Sequence, residues 1–160
     1  MIYSRAAEYA IRAFVQLAGV PTGKYAMVKE IAAQTDVPAQ FLAKILQQLV
    51  RRGLLRSSKG PTGGFLLRAA PADISLLKIV DAVDGLDDYQ RCIGGLAECD
   101  DRALCGMHDS WKALRSRIMD YLESTSVADL AESLDGKRGL AAKQRRSRRA
   151  PDPAAGSKKD

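Results

Sequence analysis

Four residues able to do metal or thiol chemistry fall within a single stretch of 17. Cys92, Cys99 and Cys105 are separated by six and then five residues, and His108, the only histidine of the 160-residue chain, follows three positions after the last cysteine. Gly94, Gly95, Asp100, Asp101 and Gly106 lie among them and give the segment the composition of a loop. Thiolates and an imidazole are the ligands that hold zinc or an iron–sulfur cluster. Structural zinc sites usually take their ligands in pairs spaced by two to four residues, and these gaps are wider. A dithiol redox switch is a second reading, although no Cys-x-x-Cys pair is present to depress a thiol pKa. An iron–sulfur cluster suits several loop thiolates and tolerates a nitrogen ligand on one iron. Spacing alone favours iron–sulfur only slightly over zinc, with buried packing cysteines as the bland alternative. Three cysteines are an odd number at low density, which argues against a secreted disulfide scaffold. A lone histidine with no recognisable catalytic constellation argues against an enzyme.

Elements on both sides must position this loop. Ala6, Tyr9, Ala10, Ala13, Phe14 and Leu17 recur at helical spacing, from Ser4 as N-cap to a stop near Gly19 and Pro21. Val28, Ile31 and Ala32 predict a short second helix ending near Gln34, because Pro38 disfavours helical geometry at Val37. A third helix begins at Pro38 and carries Leu42, Ile45, Leu46 and Leu49 until Gly53 ends it. The period then changes. Leu54 to Ser58 and Phe65 to Arg68 read as short strands around a glycine-rich tip from Lys59 to Gly64. Beyond the hairpin, Ile74 and Ser75 mark a helix start, and Leu76, Leu77, Ile79, Val80 and Val83 fill a helix closed by Gly85. After the cysteines, Trp111, Leu114, Ile118, Tyr121, Leu122 and Thr125 recur at three and four on a helix from about Met107 to Glu123, roughly 25 Å long. So long a helix outside a compact unit has little core of its own to cover, and its stripe of Trp111, Leu114, Ile118, Tyr121 and Leu122 is expected to pair with a second copy. The expected fold is mainly α with a small β-hairpin. It divides into a winged helix-turn-helix over 1–85, a cysteine loop over 86–106, a dimerisation helix with a short C-terminal helix over 107–134, and a disordered basic tail over 135–160.

Charge distribution points to the partner. The net charge of +6 resolves into three blocks. Residues 1–68 carry 10 basic against 3 acidic groups, residues 69–136 carry 6 against 14, and residues 137–160 carry 9 against 2. The third helix leaves Gln40, Phe41, Lys44, Gln47, Gln48 and Arg51 off its buried stripe. Glutamine pairs with adenine, lysine and arginine with guanine or phosphate, and phenylalanine touches a thymine methyl, so this face suits a DNA major groove. Lys59 at the hairpin tip suits a narrow minor groove. Double-stranded DNA is therefore the expected partner, and a homodimer would read a pseudo-palindromic operator. Arg145, Arg146, Arg148 and Arg149 make the tail either a solubilising extension or a nonspecific phosphate-binding arm. No apolar run reaches the roughly 18 residues that cross a bilayer, and Met1 to Arg12 lacks the order of a signal peptide, so a cytoplasmic protein without a membrane partner is expected.

These motifs also carry a family resemblance. Tyr3, Ser4, Ala7, Glu8, Tyr9, Ala10, Ile11 and Arg12, the Phe41-Leu42-Ala43-Lys44-Ile45-Leu46 helix, the wing from Lys59 to Leu67 and the three-cysteine loop resemble the IscR/NsrR family of bacterial iron–sulfur transcription regulators over about residues 1 to 134. The resemblance implies a homodimeric repressor, sometimes an activator, whose DNA affinity changes as its cluster is bound, oxidised, nitrosylated or lost. It raises iron–sulfur far above zinc for Cys92, Cys99 and Cys105. IscR-like members hold a 2Fe–2S cluster with a histidine shortly after the third cysteine, here His108. NsrR-like members can hold 4Fe–4S with an acid of the partner's first helix, which would be Glu8 of the partner subunit. The 2Fe–2S form is favoured. Two positions depart from the pattern: the first cysteine gap is six rather than five, and Ala43 stands where IscR-like proteins can carry an acid. The alternatives are a winged-helix protein with a zinc or thiol-switch site and an architectural DNA binder without a sensor.

Overall fold

In the computed structural model, residues 2–95 and 105–134 are described; Cys99 and the tail beginning at 135 lie outside them. Ser4 opens the first helix as its position predicts. Its hydroxyl accepts the Ala7 N–H at 3.1 Å, and Gly19 closes α1 (Arg5–Ala18). The buried face is wider than the expected stripe, because Ala7 and Ile11 are buried along with Ala10, Ala13, Phe14 and Leu17. The cause is position: α1 packs against α2 (Val28–Thr35), α3 (Ala39–Arg51), β2 (Gly64–Leu67) and α4 (Leu76–Asp84). It therefore has little of its circumference left for water.

The turn between α2 and α3 sets the direction of the exposed helix. The second helix runs one residue past Gln34, since the Thr35 hydroxyl donates back to the Ile31 carbonyl at 2.7 Å. Asp36 then takes a left-handed conformation (φ 55°, ψ 45°), which an aspartate tolerates and which stops the helix before Pro38. Pro38 is the N-cap of α3 rather than its first residue. Leu42, Ile45, Leu46 and Leu49 are all buried, as their i, i+3, i+4, i+7 spacing requires.

The hairpin pairs β1 (Leu55–Ser58) with β2 in antiparallel register, Leu55 opposite Leu67 and Ser58 opposite Gly64. Each strand is displaced by one residue from its expected start. A third segment joins them: Ala26 and Phe65 exchange two main-chain hydrogen bonds of 2.9 Å. The wing is thus tied to the connection between α1 and α2. This close approach explains Gly64, whose φ is +145° and where a methyl group would stand 2.2 Å from the Ala26 carbonyl oxygen.

A 3₁₀ turn (Pro71–Asp73) leads to α4, capped by the Ser75 hydroxyl, which accepts the Lys78 N–H at 3.3 Å, and ended at Gly85 (φ 76°). A single turn, α5 (Asp87–Gln90), precedes the cysteines, and α6 (His108–Ser124) follows them. A final helix, α7, runs over 127–134. The Ser126 N–H and hydroxyl donate to the Asp129 carboxylate at 2.8 and 2.7 Å and hold its pKa below the ordinary value. The support this gives α7 is present above the usual carboxylate range and is lost as pH falls through the lowered value.

The long helix is less detached than expected. Leu122 and Val127 are fully buried in the core, the Leu76 N–H donates to the Thr125 carbonyl, and the Val127 N–H donates to that of Ile74, both at 2.9 Å. This corrects the assignment of Leu122 to a dimer surface: the start of α4 draws the end of α6 inward, and Leu122 fills the space between them. Leu114 and Tyr121 remain exposed (51% and 53%), and Trp111 and Ile118 are half-buried.

Gly64→Ala should destabilise the protein by about 2–3 kcal/mol, since it adds a backbone clash to a strained φ. Denaturant melts check this, and a Gly60→Ala variant, whose methyl meets nothing within 4 Å, should lose less.

Candidate functional site

On α3 the side chains of Gln40, Phe41, Lys44, Gln47 and Arg51 are exposed, and Lys59 is exposed beside Gly60 in the connection between the strands. Helix and wing together present these groups from one helix-turn-helix unit. Phe41 is divided in its contacts: its ring meets Tyr9 of α1 edge to face, with centroids 5.8 Å apart, yet 45% of the residue stays exposed. Gln48 departs from expectation. Its amide donates to the Ala82 and Val83 carbonyls at 2.9 and 3.2 Å, so it satisfies the last turn of α4 instead of facing DNA. Arg56 is an exposed cation that the sequence reading passed over. Its place in β1, one step out of phase with buried Leu55, was the available signal.

The cysteine loop is set against the beginning of α6. The Trp111 indole N–H donates to the Arg91 carbonyl at 3.2 Å, and the Arg115 guanidinium donates to that of Tyr89 at 3.3 Å. Two side chains one turn apart on α6 thereby hold the backbone that leads into Cys92. The Tyr89 hydroxyl in turn donates to the Ile2 carbonyl, and its phenol pKa is raised by burial and then by Asp84. Asp84 accepts the Ser4 N–H at 2.8 Å, so the entry to the loop is also fastened to the start of α1.

Within this frame Cys92 and His108 are buried, and Cys105 is half-buried. The Gly95 N–H donates to the Cys92 carbonyl at 3.1 Å, closing a turn, and the His108 N–H donates to that of Cys105 at 3.0 Å. Both sulfurs lie within 4 Å of one point. A methyl group on Gly94 would lie 3.6 Å from Cys92 Sγ and 3.9 Å from Cys105 Sγ. Two thiols near one point, with a buried imidazole on the adjoining helical turn, form a donor set for a soft metal or an iron–sulfur cluster and not for a hard cation. Among the described residues no three His, Cys, Asp or Glu side chains group closely enough to hold a metal ion, and Cys99 lies outside them. Glu8 is held by Arg12, one turn along α1.

Comparison with known proteins gives the family. The profile of the Rrf2 family, described as "Iron-dependent Transcriptional regulator", matches residues 3–133. The chain belongs to the Rrf2 family. Relatives include a protein of Aquifex aeolicus (strain VF5) provisionally named an HTH-type transcriptional regulator, 34% identical over 81% of this chain and 91% of its own. The HTH-type transcriptional regulator IscR of Vibrio atlanticus (strain LGP32) is 29% identical over 77% of this chain and 70% of its own. Among solved structures, CymR (YrzC), the global cysteine regulator of B. subtilis, superposes with a TM-score of 0.70 at 22% identity, covering 81% of this chain and 95% of its own. IscR of T. potens superposes with a TM-score of 0.67 at 22% identity, covering 82% and 86%. The winged helix-turn-helix expected from the hydrophobic pattern is therefore the fold, and the resemblance seen in the motifs is a family relationship. Rrf2 proteins are transcriptional regulators rather than enzymes. No helix among the described residues is long and apolar enough to cross a membrane.

The two neighbouring glutamines of α3 should separate on mutation. Gln48→Ala should cost about 1–2 kcal/mol of stability by unpairing two carbonyls, with DNA sequence preference unchanged. Gln47→Ala should leave stability unchanged and weaken specific DNA binding by about 1–3 kcal/mol. Denaturant melts and binding titrations on the same preparations check both.

Proposed function

We propose that this Rrf2 regulator senses its signal through an iron–sulfur centre held by Cys92, Cys99 and Cys105, with His108 as fourth ligand. The observation that carries the reading is that the Cys92 and Cys105 sulfurs both lie within 4 Å of the position a Gly94 methyl would take, with His108 buried three residues after Cys105. Imidazole as fourth ligand goes with a 2Fe–2S cluster; Glu8 of the partner subunit is the alternative, and would go with 4Fe–4S. The cluster, when bound, supplies an iron centre that responds to oxidation, nitric oxide or iron supply. The chain's own residues do the remaining work. Cys92 and Cys105 donate thiolates, His108 offers a ring nitrogen, and Trp111 and Arg115 hold the loop entry to α6.

The regulator acts as a homodimer on a pseudo-palindromic operator, most simply as a repressor in the cytoplasm. The exposed Leu114 and Tyr121, with half-buried Trp111 and Ile118, form the apolar stripe on α6 that a second copy would cover. A two-fold axis there sets the two α3 helices in successive major grooves, roughly 34 Å apart on the same side of the duplex. Gln40, Phe41, Lys44, Gln47 and Arg51 read base edges and phosphates, and Lys59 reaches the adjacent minor groove.

Anaerobic purification or reconstitution should give a brown protein with visible absorbance and with iron and acid-labile sulfide in equal amounts. Cys99→Ser should lose both the colour and the sulfide. A colourless protein carrying stoichiometric zinc would contradict the cluster.

A further inference from the structure

We propose that Gly94 is a selectivity element of the thiol site: the side chain it lacks leaves room beside Cys92 and Cys105 for a multi-atom inorganic centre. The inference rests on the cluster reading above. A glycine is commonly required either by a positive φ or by atoms crowding the Cβ position. Neither holds at 94. The glycines with positive φ are 23, 53, 60, 64, 85 and 95, and Gly94 is not among them. Among the described residues a methyl group at 94 would meet nothing closer than Cys92 Sγ and Met107 Cε, both at 3.6 Å, followed by Cys105 Sγ at 3.9 Å. Those are ordinary van der Waals separations, so alanine fits without displacing backbone. The contrast with Gly64, where a methyl would stand 2.2 Å from a carbonyl oxygen, is plain.

The methyl would occupy space within 4 Å of both sulfurs and of the end of the Met107 side chain. A single zinc ion sits about 2.3 Å from each thiolate and needs only the gap between the donors. A cluster adds a second iron and bridging sulfides beyond the first metal, and those atoms need the adjoining volume. Gly94→Ala is therefore expected to exclude a cluster while still admitting a single ion. Gly106 provides a matched control: it adjoins Cys105, its φ is not among the positive ones, and among the described residues a methyl there would meet nothing within 4 Å.

The test compares the full chain with Gly94→Ala and Gly106→Ala. Each is reconstituted anaerobically with ferrous iron and sulfide and, separately, loaded with zinc; iron, sulfide and zinc per chain and the melting temperature of the metal-free protein are read. All three should melt within about 2 °C of one another. Gly94→Ala should take up about tenfold less iron and sulfide than the other two, with zinc uptake unchanged. Equal iron and sulfide in Gly94→Ala overturns the proposal, as does a parallel loss of zinc. A melting temperature lowered in Gly94→Ala alone makes the glycine a folding residue and also overturns it. If the unaltered chain and Gly106→Ala likewise take up no iron and sulfide, the cluster reading itself has failed and this inference goes with it.

Discussion

Two main-chain hydrogen bonds, from Leu76 to Thr125 and from Val127 to Ile74, stitch the end of α6 to the start of α4, with Leu122 and Val127 buried beneath them. Most of what the protein can do depends on that seam. It fixes one end of a helix about 25 Å long in the winged core, so the other end, with His108 and the loop entry, has a defined place relative to α4. Gln48 then links α4 to α3 by two side-chain hydrogen bonds. A continuous set of packed elements thus runs from the thiols to the DNA-facing helix. Continuity alone does not make regulation; an equilibrium between two arrangements that both cluster and DNA can bias is also needed.

The chain on either side of Cys92 and Cys105 is fixed largely by contacts from outside it. Trp111 and Arg115 donate to the Arg91 and Tyr89 carbonyls, and Asp84, just before the loop, accepts from Ser4. The short α5 is held from both sides, its Tyr89 hydroxyl donating to the Ile2 carbonyl ahead of α1 and its Tyr89 carbonyl accepting from Arg115 of α6. Charge divides along the same line. Residues 1–68, which include α3 and the wing, carry a net +7, whereas residues 69–136 carry −8, so the overall +6 describes neither. Clustered cations favour phosphate, and an acidic segment is best kept away from it.

Much of this was legible because it depends on local rules. The caps at Ser4 and Ser75, the apolar spacing from Leu42 to Leu49, the glycine that ends α4 and the change of period at the wing all follow from residues a few positions apart. What was missed depends on contacts between distant segments. Gln48 looks like any polar residue on an amphipathic helix until α4 arrives 34 residues later. Leu122 belongs to the apolar series of α6 in sequence but to the core in space. The bond between Ala26 and Phe65, which makes Gly64 obligatory, joins segments 39 residues apart. The cysteines were legible as chemistry and not as geometry: their spacing left zinc and iron–sulfur nearly even, and it does not show that the Cys92 and Cys105 sulfurs lie within 4 Å of one point.

On the proposed function, ligation at the cysteine loop changes how α3 engages DNA. The most direct test is the affinity of the cluster-loaded and cluster-free forms of one preparation for the same operator, selected from random or genomic fragments and titrated anaerobically at fixed salt. The two forms should differ by on the order of tenfold or more, a coupling of about 1–3 kcal/mol. Equal affinities, with cluster occupancy verified in both titrations, would contradict it.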